Sequence, residues 1–306
     1  PGGSVTFTSG ATEALNWALR GTRGDVVTQA TEHAAVLDCA DAVEGQGRCF
    51  TVLPVEPDGR VSVDAARAAI GPGTVLVAAR LVNNAIGVIQ PVAELAQTAH
   101  AAGALFLCDA VQGYGRIDIP DGCDLIAVSA HKIHGPKGIG ALWIRDGVTV
   151  DPLLFGGRQE KAGRSGTLSP ALCAGFGAAA KLALARREED RAHVARLFAV
   201  GRARLSGEWW LNGSAEHRYR GNLNIGFPGL DVARLMSDLR DIAFSAGSAC
   251  SSGSGRASHV LRAIGLSEKA ARSSIRLGFG RYTTEEEWVT ALDRIDAAAR
   301  AQGVPA

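Results

Sequence analysis

The sequence is poor in several things at once. It has a single methionine, Met236, and three tyrosines in 306 residues. No apolar run approaches the roughly 18 residues that a membrane-crossing helix needs; Val75–Ala79 and Ala104–Cys108 are typical of the longest. No hydrophobic block with a positive flank opens the sequence, so no signal peptide is expected. Charge of one sign is not in excess: 32 Lys and Arg face 31 Asp and Glu, a formal net charge of +1. Direct nucleic-acid binding and membrane-surface binding are therefore not expected. The six cysteines (Cys39, Cys49, Cys108, Cys123, Cys173 and Cys250) contain no CxxC pair. That excludes a disulfide scaffold and predicts a reduced, cytoplasmic setting. Five of them sit in apolar contexts and read as small buried hydrophobes; Cys250 does not. The 38 glycines and 11 prolines are scattered as turn residues, and no internal repeat is visible.

What is there is globular: 46% hydrophobic and 21% charged residues. Short apolar runs alternate with helical stretches through the first half. Val5–Thr8, Val26–Gln29, Phe50–Val55, Val75–Leu81, Ala104–Cys108, Leu125–Ser129 and Gly140–Ile144 read as strands. Ala11–Arg20, Ala34–Glu44, Val63–Ile70 and Pro91–Ala102 read as helices between them. This rhythm predicts an α/β fold with a mostly parallel sheet and helices on both faces. A long helix is expected from Pro170 to about Leu205. Strands at Asn222–Phe227 and Ile242–Ser245, with helices at Asp231–Leu239 and Glu285–Ala301, then predict a smaller α+β domain. The expected division is 1–185 and 186–306.

Three constellations carry chemistry. Ser9-Gly10-Ala11-Thr12-Glu13 lies between a strand and a helix, where free backbone N–H groups suit a phosphate; the same residues also make an ordinary helix cap. Asp109 ends an apolar strand, where a carboxylate points into the ligand crevice of an open α/β sheet or caps the next helix. Ser129-Ala130-His131-Lys132 follows another strand, with Gly135 and Pro136 forcing a turn. A lysine there either is a solvated surface cation or forms an imine with a carbonyl cofactor. His131 and His134 lack a convincing third and fourth ligand nearby, so no metal is expected. Together, an Asp about twenty residues before Ser-x-His-Lys, both at strand ends, fits pyridoxal phosphate. The lysine takes the aldehyde as a Schiff base, and the Asp keeps the pyridine nitrogen protonated.

Beyond these, the chain resembles the cysteine desulfurases of aminotransferase class V, pyridoxal-phosphate enzymes of fold type I. The resemblance rests on Thr8-Ser9-Gly10-Ala11-Thr12-Glu13, Thr31-Glu32-His33, Val82-Asn83-Asn84-Ala85-Ile86-Gly87, Asp109-Ala110-Val111-Gln112, Ser129-Ala130-His131-Lys132, Arg164-Ser165-Gly166-Thr167, Ser245-Ala246-Gly247-Ser248-Ala249-Cys250 and Ser273-Ser274-Ile275-Arg276. It implies a seven-stranded-type sheet in the large domain. It also implies roles. Lys132 would be the Schiff-base lysine. His33 would stack on the pyridine ring and help move protons. Asp109 would pair with the ring nitrogen, and Gln112 would hydrogen-bond the ring hydroxyl. Asn84 would lie near that hydroxyl and the substrate carboxylate. Ala11, Thr12, Ser129 and His131 would hold the phosphate. Thr167 would reach the phosphate of a neighbouring subunit, which implies a homodimer with shared sites. Arg276 would clamp the substrate carboxylate, a task for which a bidentate guanidinium suits.

Cys250 sits in Ser248-Ala249-Cys250-Ser251-Ser252-Gly253-Ser254-Gly255, a run almost without bulky side chains. Such a run predicts a mobile, exposed loop, a poor place to bury a thiol. The resemblance makes Cys250 the nucleophile that takes sulfur from L-cysteine as a persulfide and releases alanine. The loop resembles the longer type of enzymes serving iron–sulfur assembly, so a scaffold-like sulfur acceptor is implied, or thio-modification. Some positions depart from the pattern. Ala85 stands where the family often has an acidic residue, and Arg158 where a third glycine is usual. Family members also carry several tens of residues before the Ser-Gly-Ala-Thr turn, and those are expected to be missing here. Two rival readings remain at this point: a selenocysteine lyase or other class V lyase, and an impaired or non-catalytic binding partner.

Overall fold

The computed structural model describes residues 2–160, 163–247 and 257–303. The first half folds as its apolar rhythm predicts. β1 (Gly3–Thr8), α1 (Ala11–Gly21), β2 (Asp25–Gln29), α2 (Ala34–Leu37), α3 (Ala40–Glu44), β3 (Phe50–Leu53), α4 (Val63–Ala69), β4 (Thr74–Arg80), α5 (Val92–Ala101), β5 (Leu105–Asp109), β6 (Leu125–Ser129), β7 (Gly140–Arg145) and α6 (Pro170–Ala185) follow in order. β3 stops before Pro54, which has no N–H for a ladder. The seven strands form one sheet in the order β1-β7-β6-β5-β4-β2-β3. β2 runs parallel to β3 and β4, β4 to β5, and β5 to β6. β7 is antiparallel to both β6 and β1.

Alternation along the strands decides what faces what. Leu76 and Ala78, Leu107, and Leu125 and Ala127 pack in one core with Ala14, Leu15 and Trp17 of α1. Ile126 and Val128 point to the other face, where with Phe7, Trp143 and Phe176 of α6 they line an apolar cavity of about 360 Å³. Helices thus cover both faces. Carried two residues further, the α1-facing rows end in Arg80, Asp109 and Ser129. The sheet's α1 side is apolar inside and polar at its C-terminal rim.

The second half comprises α7 (Arg187–Arg204), β8 (Trp210–Leu211), β9 (Asn222–Gly226), α8 (Val232–Asp238), β10 (Ser245–Ala246), α9 (His259–Ala263), α10 (Glu268–Arg272), β11 (Ser274–Gly278) and α11 (Glu285–Gly303). A four-stranded sheet in the order β10-β11-β9-β8 is antiparallel throughout. Its core joins Leu223, Ile225, Ile275 and Leu277 to Leu197, Leu235, Trp288 and Leu292. The long helix expected from Pro170 is broken at Arg186 into α6 and α7. The strand expected at Ile242–Ser245 is displaced to Ser245–Ala246, because the Ile242 N–H closes a turn onto the Leu239 carbonyl.

Two compact units result. One holds Pro1–Pro54, Val61–Val82 and Gln90–Arg187; the other holds Val55–Arg60, Asn83–Ile89 and Glu188–Ala306. Two short excursions of the first half therefore belong with the second. Ile86 and Val88 from one of them fill an apolar cluster with Val260, Leu261 and Ile264. Among the described residues no helix is long and apolar enough to cross a membrane.

Candidate functional site

In the first unit, the turn after β1 carries the small-residue motif into α1. Gly10 caps α1 with no side-chain hydrogen bond to the first turn. Instead Ser129, at the end of β6, accepts the Ala11 N–H on Oγ at 2.9 Å. Gly140 makes this approach feasible: a Cβ there would lie 2.7 Å from Gly10 Cα and 2.5 Å from the Val128 carbonyl oxygen. Thr12 is exposed on the same first turn. Glu13 accepts the Ser9 N–H at 2.7 Å and is paired with Arg164 Nε at 2.7 Å. Burial is the largest single influence on Glu13 and raises its pKa. The hydrogen bonds from Arg164 and Ser9 together outweigh it, and the carboxyl is held below its usual range. Arg164 ties the 163–167 segment to α1, with Ser165 buried and Thr167 exposed three residues on.

The turn after β6 is a single 3₁₀ turn, Ala130–Ile133, closed by the Gly135 N–H onto the Ala130 carbonyl. His134 ends it in the left-handed region at φ 66°. His131 is exposed and Lys132 half-buried. Neighbouring protein, then the charges of Lys132 and Lys137, lower the His131 pKa, so its imidazole is neutral near pH 7. Next door in the sheet, Asp109 ends β5 and accepts the Val111 N–H on Oδ1 at 3.0 Å. Gln112 follows, and its Oε1 accepts from Arg116 Nη1 at 2.8 Å. The amide nitrogen is then the donor end of the Gln112 side chain. Arg116 also donates to the Lys132 carbonyl at 2.7 Å, so one guanidinium joins the Gln112 and Lys132 segments. His33 caps α2, accepting the Ala35 N–H on Nδ1 at 3.0 Å. A neutral His33 therefore carries its proton on Nε2.

In the second unit, Asn83 Oδ1 accepts the N–H groups of Ala85 and Ile86, folding 83–89 into a tight turn. Gly87 is needed at φ 75°, with the Tyr219 carbonyl 3.1 Å from where a Cβ would be. The Asn84 carbonyl accepts from Asn222 Nδ2 and from Arg276 Nη1, each at 3.0 Å. Arg276 stands in β11, between Asn224 of β9 and Ser245 of β10.

The first unit thus gathers Ala11, Thr12, Ser129, His131, Lys132, Asp109, Gln112 and His33 at, or a few residues beyond, the C-terminal ends of strands of its sheet. The second gathers Asn84 and Arg276. Cys250 lies outside the described residues. Of the other cysteines, Cys39, Cys108 and Cys123 are buried as expected, but Cys49 is exposed and Cys173 half-buried. Cys49 adjoins β3, the edge strand, where one flank has no neighbouring strand to cover it. Two residues carry weaker sequence signals: Arg116, whose spacing of four from Gln112 places a donor within reach, and Arg80, a charge ending an otherwise apolar strand.

Comparison with known proteins agrees with this layout. A sequence profile of the family described as aminotransferase class-V matches residues 3–292. A mitochondrial cysteine desulfurase of Eremothecium gossypii is 46% identical over 297 aligned positions, covering 92% of this chain and 61% of that protein. The cysteine desulfurase IscS of Rickettsia akari is 42% identical, covering 92% of this chain and 73% of that protein. Among solved structures, a NifS-like protein from Rickettsia africae superposes with a TM-score of 0.87 at 27% identity, over 97% of this chain and 81% of that one. The chain belongs to the class-V aminotransferase family.

Proposed function

We propose that the protein is a cysteine desulfurase that converts L-cysteine to L-alanine and passes the sulfur on as a persulfide of Cys250. The observation that carries this reading is the meeting of Lys132, Asp109 and the Ser129–Ala11 clamp at the rim of one sheet. Pyridoxal phosphate is the cofactor of this family, and the donor set fits it. A hydroxyl, a neutral imidazole and an open helix start suit a phosphate. An amine suits an aldehyde, and a carboxylate suits a pyridine nitrogen.

When bound, the cofactor supplies the aldehyde and the electron sink that weaken bonds at the substrate carbon. Because Ser129 Oγ accepts from Ala11, its own proton is free and would be donated to a phosphate oxygen, with Thr12 and His131 as further phosphate-holding residues. Lys132 provides the amine. Asp109, at the end of β5, would pair with the ring nitrogen. Gln112, whose Oε1 is taken by Arg116, would donate its amide N–H to the ring hydroxyl. His33 would stack on the ring and move protons through Nε2, since its Nδ1 accepts the Ala35 N–H. Arg276, steered by the Asn84 carbonyl, grips the substrate carboxylate, with Asn84 itself next to it. The Cys250 thiolate then attacks the substrate sulfur. An S–S bond forms and the C–S bond breaks. Its electron pair stays with the carbon, which takes a proton and leaves as alanine.

The remaining parts of the reading are of the same kind. Residues 1–185 hold the cofactor and 186–306 carry Cys250, with Val55–Arg60 and Asn83–Ile89 grouped with the later part. Thr167 serves the phosphate of a second copy, in a homodimer. The acceptor is a protein such as an iron–sulfur scaffold, and the compartment is cytoplasmic and reducing, in keeping with the free thiols among the described residues. The test is a visible absorption spectrum of the purified protein with pyridoxal phosphate, with sulfide and alanine measured after L-cysteine is added. Lys132→Ala is expected to abolish the protein-linked absorption band and the activity. A band and turnover that survive the substitution would overturn the assignment.

A further inference from the structure

Neighbouring strands β2, β4 and β5 end in Gln29, Arg80 and Asp109. Glu32 lies just beyond β2, with its side chain wholly buried. Its Oε1 accepts the Arg80 backbone N–H at 2.7 Å and Gln29 Nε2 at 2.6 Å. Arg80 Nε stands 3.5 Å from its Oε2. Thr31 donates its N–H to Gln29 Oε1 at 3.0 Å, so Gln29 in turn is fixed. Arg80 is the register partner of Asp109 across the β4–β5 ladder. A negative, a positive and a negative group therefore follow one another, exposed by only 0%, 2% and 7%.

A buried ion pair is weak support for stability, since apolar residues of the same volume often do as well. Its use has to be sought elsewhere. Arg80 without Glu32 would set a full positive charge beside Asp109 and loosen its hold on a bound cation. Glu32 without Arg80 would crowd two carboxylates together, and one would take up a proton. Burial pushes the Glu32 carboxyl up; Arg80 opposes this only in part and Asp109 adds to the push, so the carboxyl stays above its usual range. Among the described residues, Cys108 of β5 feels both carboxylates of the row, and His33 follows Glu32 directly in the chain. A hydrogen bond with Cys123, then burial, then the nearby carboxylates keep Cys108 a neutral thiol.

We infer that Glu32 and Arg80 are positioning residues that act through Asp109: a buried pair of opposite charges beside it that sets the electrostatic potential where Asp109 would meet the cofactor ring. The inference rests on the proposed role of Asp109. It is tested on the full chain loaded with pyridoxal phosphate, without substrate, by following the visible absorption of the bound cofactor against pH. Glu32→Gln leaves one uncompensated positive charge, which disfavours the protonated form. The titration midpoint is expected to fall by about one pH unit, the order expected for a unit charge roughly 10 Å away at an effective dielectric of about 20. Glu32→Gln combined with Arg80→Met is neutral again, and its midpoint is expected to return to the wild-type value. His33 is unchanged in all three proteins, so its own titration cancels from the comparison. An unmoved midpoint in Glu32→Gln, or a double variant that stays displaced, overturns the inference. If Glu32→Gln does not fold, Arg80→Lys carries the test: it keeps the charge and should keep the midpoint, and a shift of about one unit overturns the idea. A wild-type protein that forms no absorbing complex overturns the cofactor reading as well, whereas a normal complex with unmoved midpoints overturns only this inference.

Discussion

Ser129 Oγ and the Ala11 N–H meet at 2.9 Å although 118 residues separate them in the chain. The bond joins the end of β6 to the start of α1 in a buried setting. Ser129→Ala removes the acceptor and the onward hydroxyl together. Leaving a buried donor unsatisfied costs about 1–3 kcal/mol, so pyridoxal phosphate is expected to bind at least about fivefold more weakly. Equilibrium titration of the cofactor into wild type and variant measures it, and equal affinities would remove Ser129 from the phosphate cradle.

Glu13 links α1 to the segment carrying Thr167 through Arg164. Its folded pKa is depressed below the usual 4.5, despite the opposing push of burial. The stabilisation is fully present above the unfolded value and disappears as pH falls through the folded one. Glu13→Gln is therefore expected to melt at a lower temperature than wild type at pH 7, with the gap closing below pH 4.5 or so. Thermal melts across that range check it; a gap that is constant with pH would mean that the charge is not what matters.

Arg276 is steered by the Asn84 carbonyl at 3.0 Å. A charge-assisted contact of this kind is worth about 1.5–3 kcal/mol. Arg276→Ala should raise the cysteine concentration needed for half-maximal sulfide release by about tenfold or more. An unaltered dependence would assign the carboxylate to another residue.

Cys250 is the one proposed reacting group outside the described residues. Cys250→Ser is expected to bind pyridoxal phosphate normally, and still to perturb its spectrum when L-cysteine is added, yet to release no sulfide. Near-normal sulfide release would take Cys250 out of the mechanism.

How far the sequence was legible follows from how far each residue's fate is local. β4, β5 and β6 are continuous apolar runs buried on both faces, and such runs announce themselves. The polar residue ending each run marks the rim, so Asp109 and Ser129 were visible in advance. In the second half, the short elements β8, α9 and α10 leave no such run and β10 is displaced from its expected place, because tertiary contacts rather than a local pattern fix them. The same holds for Glu32 and Arg80, whose pairing spans 48 residues and leaves no periodicity to read. The removal of 83–89 from its sequence neighbours is set by Arg218, Asn222, Asn224 and Arg276, all more than a hundred residues downstream.

That excursion makes the second unit non-excisable. A fragment beginning at Glu188 would lack Ile86 and Val88, which fill the cluster around Val260, Leu261 and Ile264, and would lose the backbone carbonyls that Asn222, Asn224, Arg218 and Arg276 grip. No single cut in the chain yields two self-sufficient pieces. Expressed alone, the C-terminal half is expected to stay insoluble until residues 55–60 and 83–89 are supplied in the same polypeptide.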